Sequence, residues 1–236
     1  MNELLHQGLA QLGLIPPPGA VEQMSQYAQL LLEQNKVMNL TAITAPDQVA
    51  RLHFLDSVAL LGCTGDLGGK SLIDVGTGAG FPGIPLKLMA PQLQLTLLDS
   101  LAKRLDWLEG VCTTLGIAGV DFVHARAEEQ GLNPAFRDHF DFATARAVAD
   151  LRVLCELCLP FVKVGGKFLA MKAADSQDEL DLAQRAITTL GGRRLEDDTY
   201  AIPGTDVVRR VAVIEKIAPT PKQYPRRWAK MQKAPL

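Results

Sequence analysis

Residues 72–87 read LIDVGTGAGFPGIPLK, an apolar run, then a turn holding Gly76, Gly78 and Gly80, then an apolar-periodic stretch introduced by Pro82. Glycine tolerates positive φ and lets another molecule approach the backbone, while proline suits a first helical turn, so the segment predicts strand, tight turn and helix in succession. The same alternation continues downstream. Short apolar runs at 71–75, 94–99, 120–124, 140–145 and 167–172 predict strands, with helices expected near 82–90, 101–115, 150–163 and 176–190. Residues 196–216 predict two further strands joined by the Pro203-Gly204 turn, an antiparallel pair at one edge. The expectation is an α/β protein with a mostly parallel seven-stranded sheet, covered on both faces and binding ligands at the carboxyl ends of its strands.

Ahead of the turn, apolar residues at helical spacing in 20–36 and 46–61 predict a helical cap over residues 1–62. The main domain is expected over 63–218, followed by a basic tail over 219–236. A chain of 236 residues with 47% hydrophobic side chains is long enough for a sizeable core without staples. The N-terminal residues MNELLHQGLAQLGL, with Glu3 and polar breaks, do not read as a leader, and no apolar run reaches the length of a membrane span. The four cysteines lack a disulfide spacing, so a cytoplasmic protein is expected.

Charge is unevenly spread behind a formal net charge of -2. Residues 193–236 carry ten Lys/Arg against five Asp/Glu, whereas 1–192 carry fourteen against twenty-one. From Lys216 onward there are six basic residues and no acidic one, with Tyr224 and Trp228 between them. By itself such a segment reads equally as a solubilising, partly disordered tail or as a nucleic-acid contact.

The glycines fit two cofactors. Gly76, Gly78 and Gly80 form G-x-G-x-G, and Gly78, Gly80 and Gly83 also satisfy G-x-G-x-x-G, so the pattern suits NAD as well as S-adenosylmethionine. Asp99, at the end of the second expected strand, serves either as a ribose ligand. Asp74 separates them: a carboxylate beside the turn repels a pyrophosphate and favours a ligand carrying an ammonium and a sulfonium. Other chemistry finds little support. Cys155 and Cys158 fall on one face of a leucine-rich helix, His6, His53, His124 and His139 show no ligand spacing, and no metal site is expected. Hydrolase and P-loop motifs are missing.

Six segments in order, NLTAIT (39–44), HFLDS (53–57), IDVGTGAGFPGIPL (73–86), LLDSLAKR (97–104), ARAVADL (145–151) and TPKQYPR (220–226), resemble the RsmG (GidB) family. That family comprises bacterial 16S rRNA guanine-N7 methyltransferases. The resemblance implies a class I (Rossmann-like) methyltransferase fold, S-adenosylmethionine as cofactor, and a guanine in the 530 loop of small-subunit rRNA as acceptor. It further implies that Gly76 and Phe81 contact the cofactor, that Ala127 and Glu128 contact its adenosine, and that Arg146 belongs to the cofactor site. Asp74, Gly78, Gly80 and Asp99 complete that expected set.

Guanine N7 has a free lone pair and no proton to lose, so no general base is expected, and His53 and Asp56 are candidates for positioning only. A cationic product disfavours an arginine beside the reacting ring, which assigns Arg146 to the methionine carboxylate or a phosphate. Lys103, Arg104, Lys172, Lys222, Arg226 and Arg227 are expected to contact RNA of the small subunit or of an assembly intermediate. No membrane and no obligate protein partner are expected. The chain departs from the family pattern after YPR, where a Gly-Thr-Pro element is replaced by RWAKMQKAPL, and Leu52 separates Arg51 from His53, so Arg51 is given no role. From the residues alone, an RNA-binding assembly factor and a nicotinamide oxidoreductase remain the rival classes.

Overall fold

A computed structural model describes residues 1–146 and 149–236. Ala147 and Val148, within the ARAVADL segment, lie outside the described residues. The chain begins with α1 (Asn2–Gln11), α2 (Ala20–Met38) and α3 (Pro46–Val49), a π-helical turn over Ala50–Leu55, then α4 (Asp56–Val58) and α5 (Leu61–Thr64). The alternating part follows as β1 (Ser71–Val75), α6 (Gly83–Met89), β2 (Gln94–Asp99), α7 (Ala102–Leu115), β3 (Val120–His124), α8 (Ala127–Gln130), β4 (Phe140–Arg146) and α9 (Leu151–Cys158). A 3-10 turn over Leu159–Phe161 leads to β5 (Val162–Ala173), α10 (Gln177–Thr189), β6 (Gly192–Arg194), β7 (Asp198–Ala201), β8 (Val208–Lys216) and α11 (Trp228–Lys233).

The strands run in the order β3-β2-β1-β4-β5-β8-β6, with β7 also paired to β8. Pairing is parallel from β3 through β5 and antiparallel where β8 meets β5. The short strands β6 and β7 lie one after the other along the free side of β8, so the antiparallel edge is built from two pieces and the sheet has eight strands, not the seven expected, because Gly192–Arg194 adds a strand ahead of the Pro-Gly pair.

Period-two alternation sorts side chains to the two faces. Leu72, Leu95, Leu97, Phe142, Leu169, Met171, Val211 and Val213 join α1, α2, α6 and α7 in one hydrophobic cluster. Ile73, Val75, Leu98, Ala143, Ala145, Phe168, Ala170, Ala212 and Ile214 join α9, α10 and the C-terminal segment in the other. The cap is therefore built into the same core as the sheet: Tyr27 of α2 is fully buried, its hydroxyl donates to the Ala79 carbonyl, and its ring stacks on Phe81 at 5.4 Å.

Two local expectations change. Residues 162–163 belong to β5 and not to the end of a helix, because Val162 pairs with Phe140 and the bare Cα of Gly166 lets the strand pass close to the Asp141 carbonyl. Residues 50–55 are π-wound, a departure that helical spacing alone does not reveal and that recurs at functional sites. Among the described residues no helix is long and apolar enough to cross a membrane, and no group of His, Cys, Asp and Glu is arranged to hold a metal.

Candidate cofactor and acceptor site

A cavity of about 480 Å³ opens across the carboxyl ends of β4, β1, β2 and β3. Its floor is the turn after β1. Gly78, at φ +60°, would point a Cβ into open space, with its nearest neighbour the Gly76 carbonyl at 3.9 Å. Gly80 is required for a different reason: at φ +81° its Cβ would collide with the Tyr27 hydroxyl and approach Leu108 at 2.8 Å, so this glycine lets the cap close on the turn. Of the glycines named from the sequence, Gly76 and Gly78 face the cavity and Gly80 lies beneath it.

Asp74 is also placed beneath. It is fully buried, and its Oδ2 accepts hydrogen bonds from the Thr77 hydroxyl at 2.8 Å and the Gly83 amide at 3.0 Å. The other oxygen has no partner among the described residues. Burial pushes the carboxyl up to about 6, with the Thr77 and Gly83 bonds and the more distant Arg146 charge opposing that shift. Asp74 thus holds the turn in shape and acts on a ligand through space, where the reduced dielectric enlarges Coulomb terms.

At the end of β2, Asp99 accepts from the Gly78 amide and from the Leu101 amide, each at 2.9 Å, and pairs with Arg104 at 3.3 Å. Past β3, Ala127 and Glu128 open α8 and border the cavity, where Arg126 donates to Glu128 at 2.9 Å. At the β4 end, Arg146 donates to His53 Nδ1 at 3.1 Å and to the Leu52 carbonyl at 3.2 Å, pairs with Asp56 at 3.4 Å, and lies over the Phe81 ring at 5.2 Å.

This arrangement fixes the state of His53. A guanidinium offers only donors, so Nδ1 must carry a lone pair, which leaves the proton on Nε2, 2.8 Å from the Thr41 hydroxyl. Burial and the Arg146 charge push the imidazole down to about 4, and its ring stacks on Phe81 at 4.8 Å. Both ring nitrogens are therefore engaged. Asp56, 2% exposed, also accepts from the Tyr200 hydroxyl at 2.8 Å and pairs with Arg209 at 3.5 Å. Burial first, and then the Asp56 charge, raise the Tyr200 pKa and keep it a donor. His53, Asp56 and Arg146 also border a neighbouring cleft of about 390 Å³, together with Lys172 and Arg209.

The six expected RNA contacts separate in the structure. Lys103, Lys222 and Arg227 are exposed. Arg104 lies in the cofactor cavity on Asp99. Lys172 donates to Glu179 at 2.6 Å and to the Ala149 carbonyl at 2.9 Å. Arg226 is bound to buried Glu156 at 2.6 Å, which ties the C-terminal segment to α9. Arg137 adds a second tie, donating to the Thr220 carbonyl at 2.6 Å and to the Tyr224 carbonyl at 2.9 Å. Lys216, counted among the tail cations, is fully buried against the Leu159 and Val162 carbonyls and Asp138. Sequence reasoning gave no role to Thr41 or Trp228, both of which border the cavity. Thr41 stands in the NLTAIT segment; Trp228 carries no motif.

A glycine turn after β1, an acidic residue at the end of β2, a cavity across four parallel strand ends and an antiparallel β8 beside β5 together match a class I methyltransferase fold. Solved structures share it: TrmN from Thermus thermophilus superposes at TM-score 0.53 with 20% identity, covering 69% of this chain and 48% of that one. A Glu-to-Gln mutant of MtNAS in complex with S-adenosylmethionine superposes at TM-score 0.57 with 15% identity, covering 84% of this chain and 73% of that one. Residues 20–201 match the family model described as GidB, rRNA small subunit methyltransferase G. The chain belongs to that family. Ribosomal RNA small subunit methyltransferase G of Alkaliphilus metalliredigens is 47% identical over 99% of this chain and 98% of its own length. The protein of the same description from Symbiobacterium thermophilum is 46% identical over 99% and 97%.

Proposed function

We propose that this enzyme transfers a methyl group from S-adenosylmethionine to N7 of a guanine in the 530 loop of 16S rRNA, acting in the cytoplasm on the small subunit or an assembly intermediate. The observation that carries the reading is the cavity across the four strand ends. Gly78 leaves room there for a ligand against the backbone, Asp99 stands where a ribose diol is gripped, and the unpartnered Asp74 oxygen favours positive charge. These residues fit the cofactor, which supplies an electrophilic methyl on a cationic sulfur when bound.

The chain's own contribution is positioning. Gly76 and Gly78 present backbone to the cofactor, Asp99 holds the ribose hydroxyls, and Arg146 pairs with the methionine carboxylate. His53, its ring stacked on Phe81, borders both the cofactor cavity and the adjacent cleft, which places it to orient the acceptor base beside the cofactor. N7 needs no deprotonation, and His53, with both nitrogens engaged, is not placed to act as a base. Alignment of acceptor and methyl is the main catalytic term, worth up to about 7–11 kcal/mol in well-oriented systems. Lys103, Lys222 and Arg227, all exposed, neutralise RNA phosphates.

The test is chemical mapping of rRNA. Small-subunit RNA from cells making the protein should break at one guanine of the 530 loop after mild reduction and aniline, because 7-methylguanine is labile. RNA from cells lacking the protein should not break there. Cleavage that is the same in both excludes the assignment.

A further inference from the structure

The C-terminal segment does more than run over the surface. Trp228, the first residue of α11, borders the cofactor cavity beside Ala125, Ala127 and Glu128. The same half-buried indole borders a second hollow with Arg126, Glu129 and Leu132, so it stands as a partition at the β3 end of the cavity. Its backbone is anchored on both sides. The Arg226–Glu156 pair precedes it at 2.6 Å, and Met231, fully buried in the core, follows it.

Sheet order decides which part of a ligand meets this indole. From β4 to β3 the cavity passes Arg146, the glycine turn, Asp99 and then Ala127. A molecule whose ribose sits at Asp99 and whose amino acid reaches Arg146 must extend its purine toward Ala127 and Trp228. A neutral purine offers flat π faces, and an indole held at a cavity wall is a large apolar partner for them. We infer that Trp228 is a cofactor-binding residue that covers the adenine, making the basic C-terminal segment one wall of the cofactor site. The inference rests on the cofactor reading above.

The chain has two tryptophans, and the other, Trp107, packs near Tyr27 at 6.1 Å and borders a hollow under the cap, which makes fluorescence informative. The experiment titrates S-adenosylhomocysteine and 5′-methylthioadenosine, which has the adenosine but no amino acid, into wild type, Trp107→Phe, Trp228→Phe and Trp228→Ala. Affinities come from calorimetry and the optical signal from tryptophan emission. Trp228→Ala should weaken both ligands by a similar factor, about five- to hundredfold, the range spanned by stacking of one base on an aromatic ring. Trp228→Phe should recover most of that affinity, and the ligand-induced emission change should persist in Trp107→Phe and vanish in Trp228→Phe. Unchanged affinities in Trp228→Ala overturn the inference, as does an emission change that vanishes only in Trp107→Phe. If Trp228→Ala does not fold, the two Phe variants decide by emission alone. A wild type that binds neither ligand overturns the cofactor reading together with this one.

Discussion

The two ends of the cavity are built by opposite means. At the β4 end, His53, Asp56, Tyr200 and Arg146 come from the cap, the sheet edge and a strand terminus, and each polar group is tied to another in a mostly buried network. At the β3 end, Ala127, Glu128 and Trp228 come from a four-residue helix and the C-terminal segment, and the indole is only half-buried. A buried polar network fixes orientation because each unmade bond carries a desolvation cost. An open wall of small and aromatic side chains supplies contact area with little directional demand. The contrast matches a ligand charged at one end and flat and neutral at the other.

Filling the middle should produce the largest effect. Gly78→Val places a branched side chain where both halves of the ligand cross, at a φ of +60° that costs roughly 1–2 kcal/mol for a residue with a Cβ. S-adenosylhomocysteine and 5′-methylthioadenosine should both lose affinity by about a hundredfold or more, measured by calorimetry. If only one of them weakens, the turn does not underlie both halves.

A smaller effect should follow pH. The Asp74 carboxyl, raised to about 6 from 3.8, is protonated more readily folded than unfolded, so its contribution to stability is present below pH 3.8 and is lost as pH rises through about 6. Asp74→Asn should therefore gain stability relative to wild type at pH 7 more than at pH 4, read from denaturant midpoints. In the wild type, S-adenosylmethionine should weaken relative to S-adenosylhomocysteine by about three- to tenfold between pH 7 and 5, since only the former carries the sulfonium that a charged Asp74 attracts. His53, down at about 4, lies outside that comparison above pH 5.

The smallest effect concerns the exposed cations of the C-terminal segment. Lys222→Gln and Arg227→Gln should each reduce the slope of log RNA affinity against log salt by about 0.7, while S-adenosylhomocysteine binding stays unchanged. Arg226→Gln should instead lower thermal stability, because it leaves the buried Glu156 carboxylate without its partner. Equal salt slopes in all three variants would mean that exposure does not separate these cations.

Which parts were legible follows from the range of the interactions. The strands could be read because their side chains alternate between two clusters, a pattern local in sequence. Asp99 was legible because a strand end about twenty residues past the turn is set by topology. Arg226 and Glu156 are 70 residues apart, and nothing near either marks Arg226 as an anchor and not a surface cation. Trp228 reaches the cavity only because that anchor and the Arg137 clasp place it there. The charge of Asp74 is plain in the sequence, but the two hydrogen bonds that place it beneath the turn depend on how Thr77 and Gly83 fold around it. The π-turn at Ala50–Leu55 looks the same as an α-helix in hydrophobic spacing.

The division of the cavity is tested most directly by Arg146→Lys, which keeps a positive charge near Asp56 but removes the planar fork. Affinities of S-adenosylhomocysteine and 5′-methylthioadenosine should be measured for this variant and wild type. If Arg146 serves the amino-acid end alone, the first ligand should weaken about tenfold or more and the second should bind as in wild type. Equal weakening of both ligands, or an unchanged affinity for S-adenosylhomocysteine, would contradict the account.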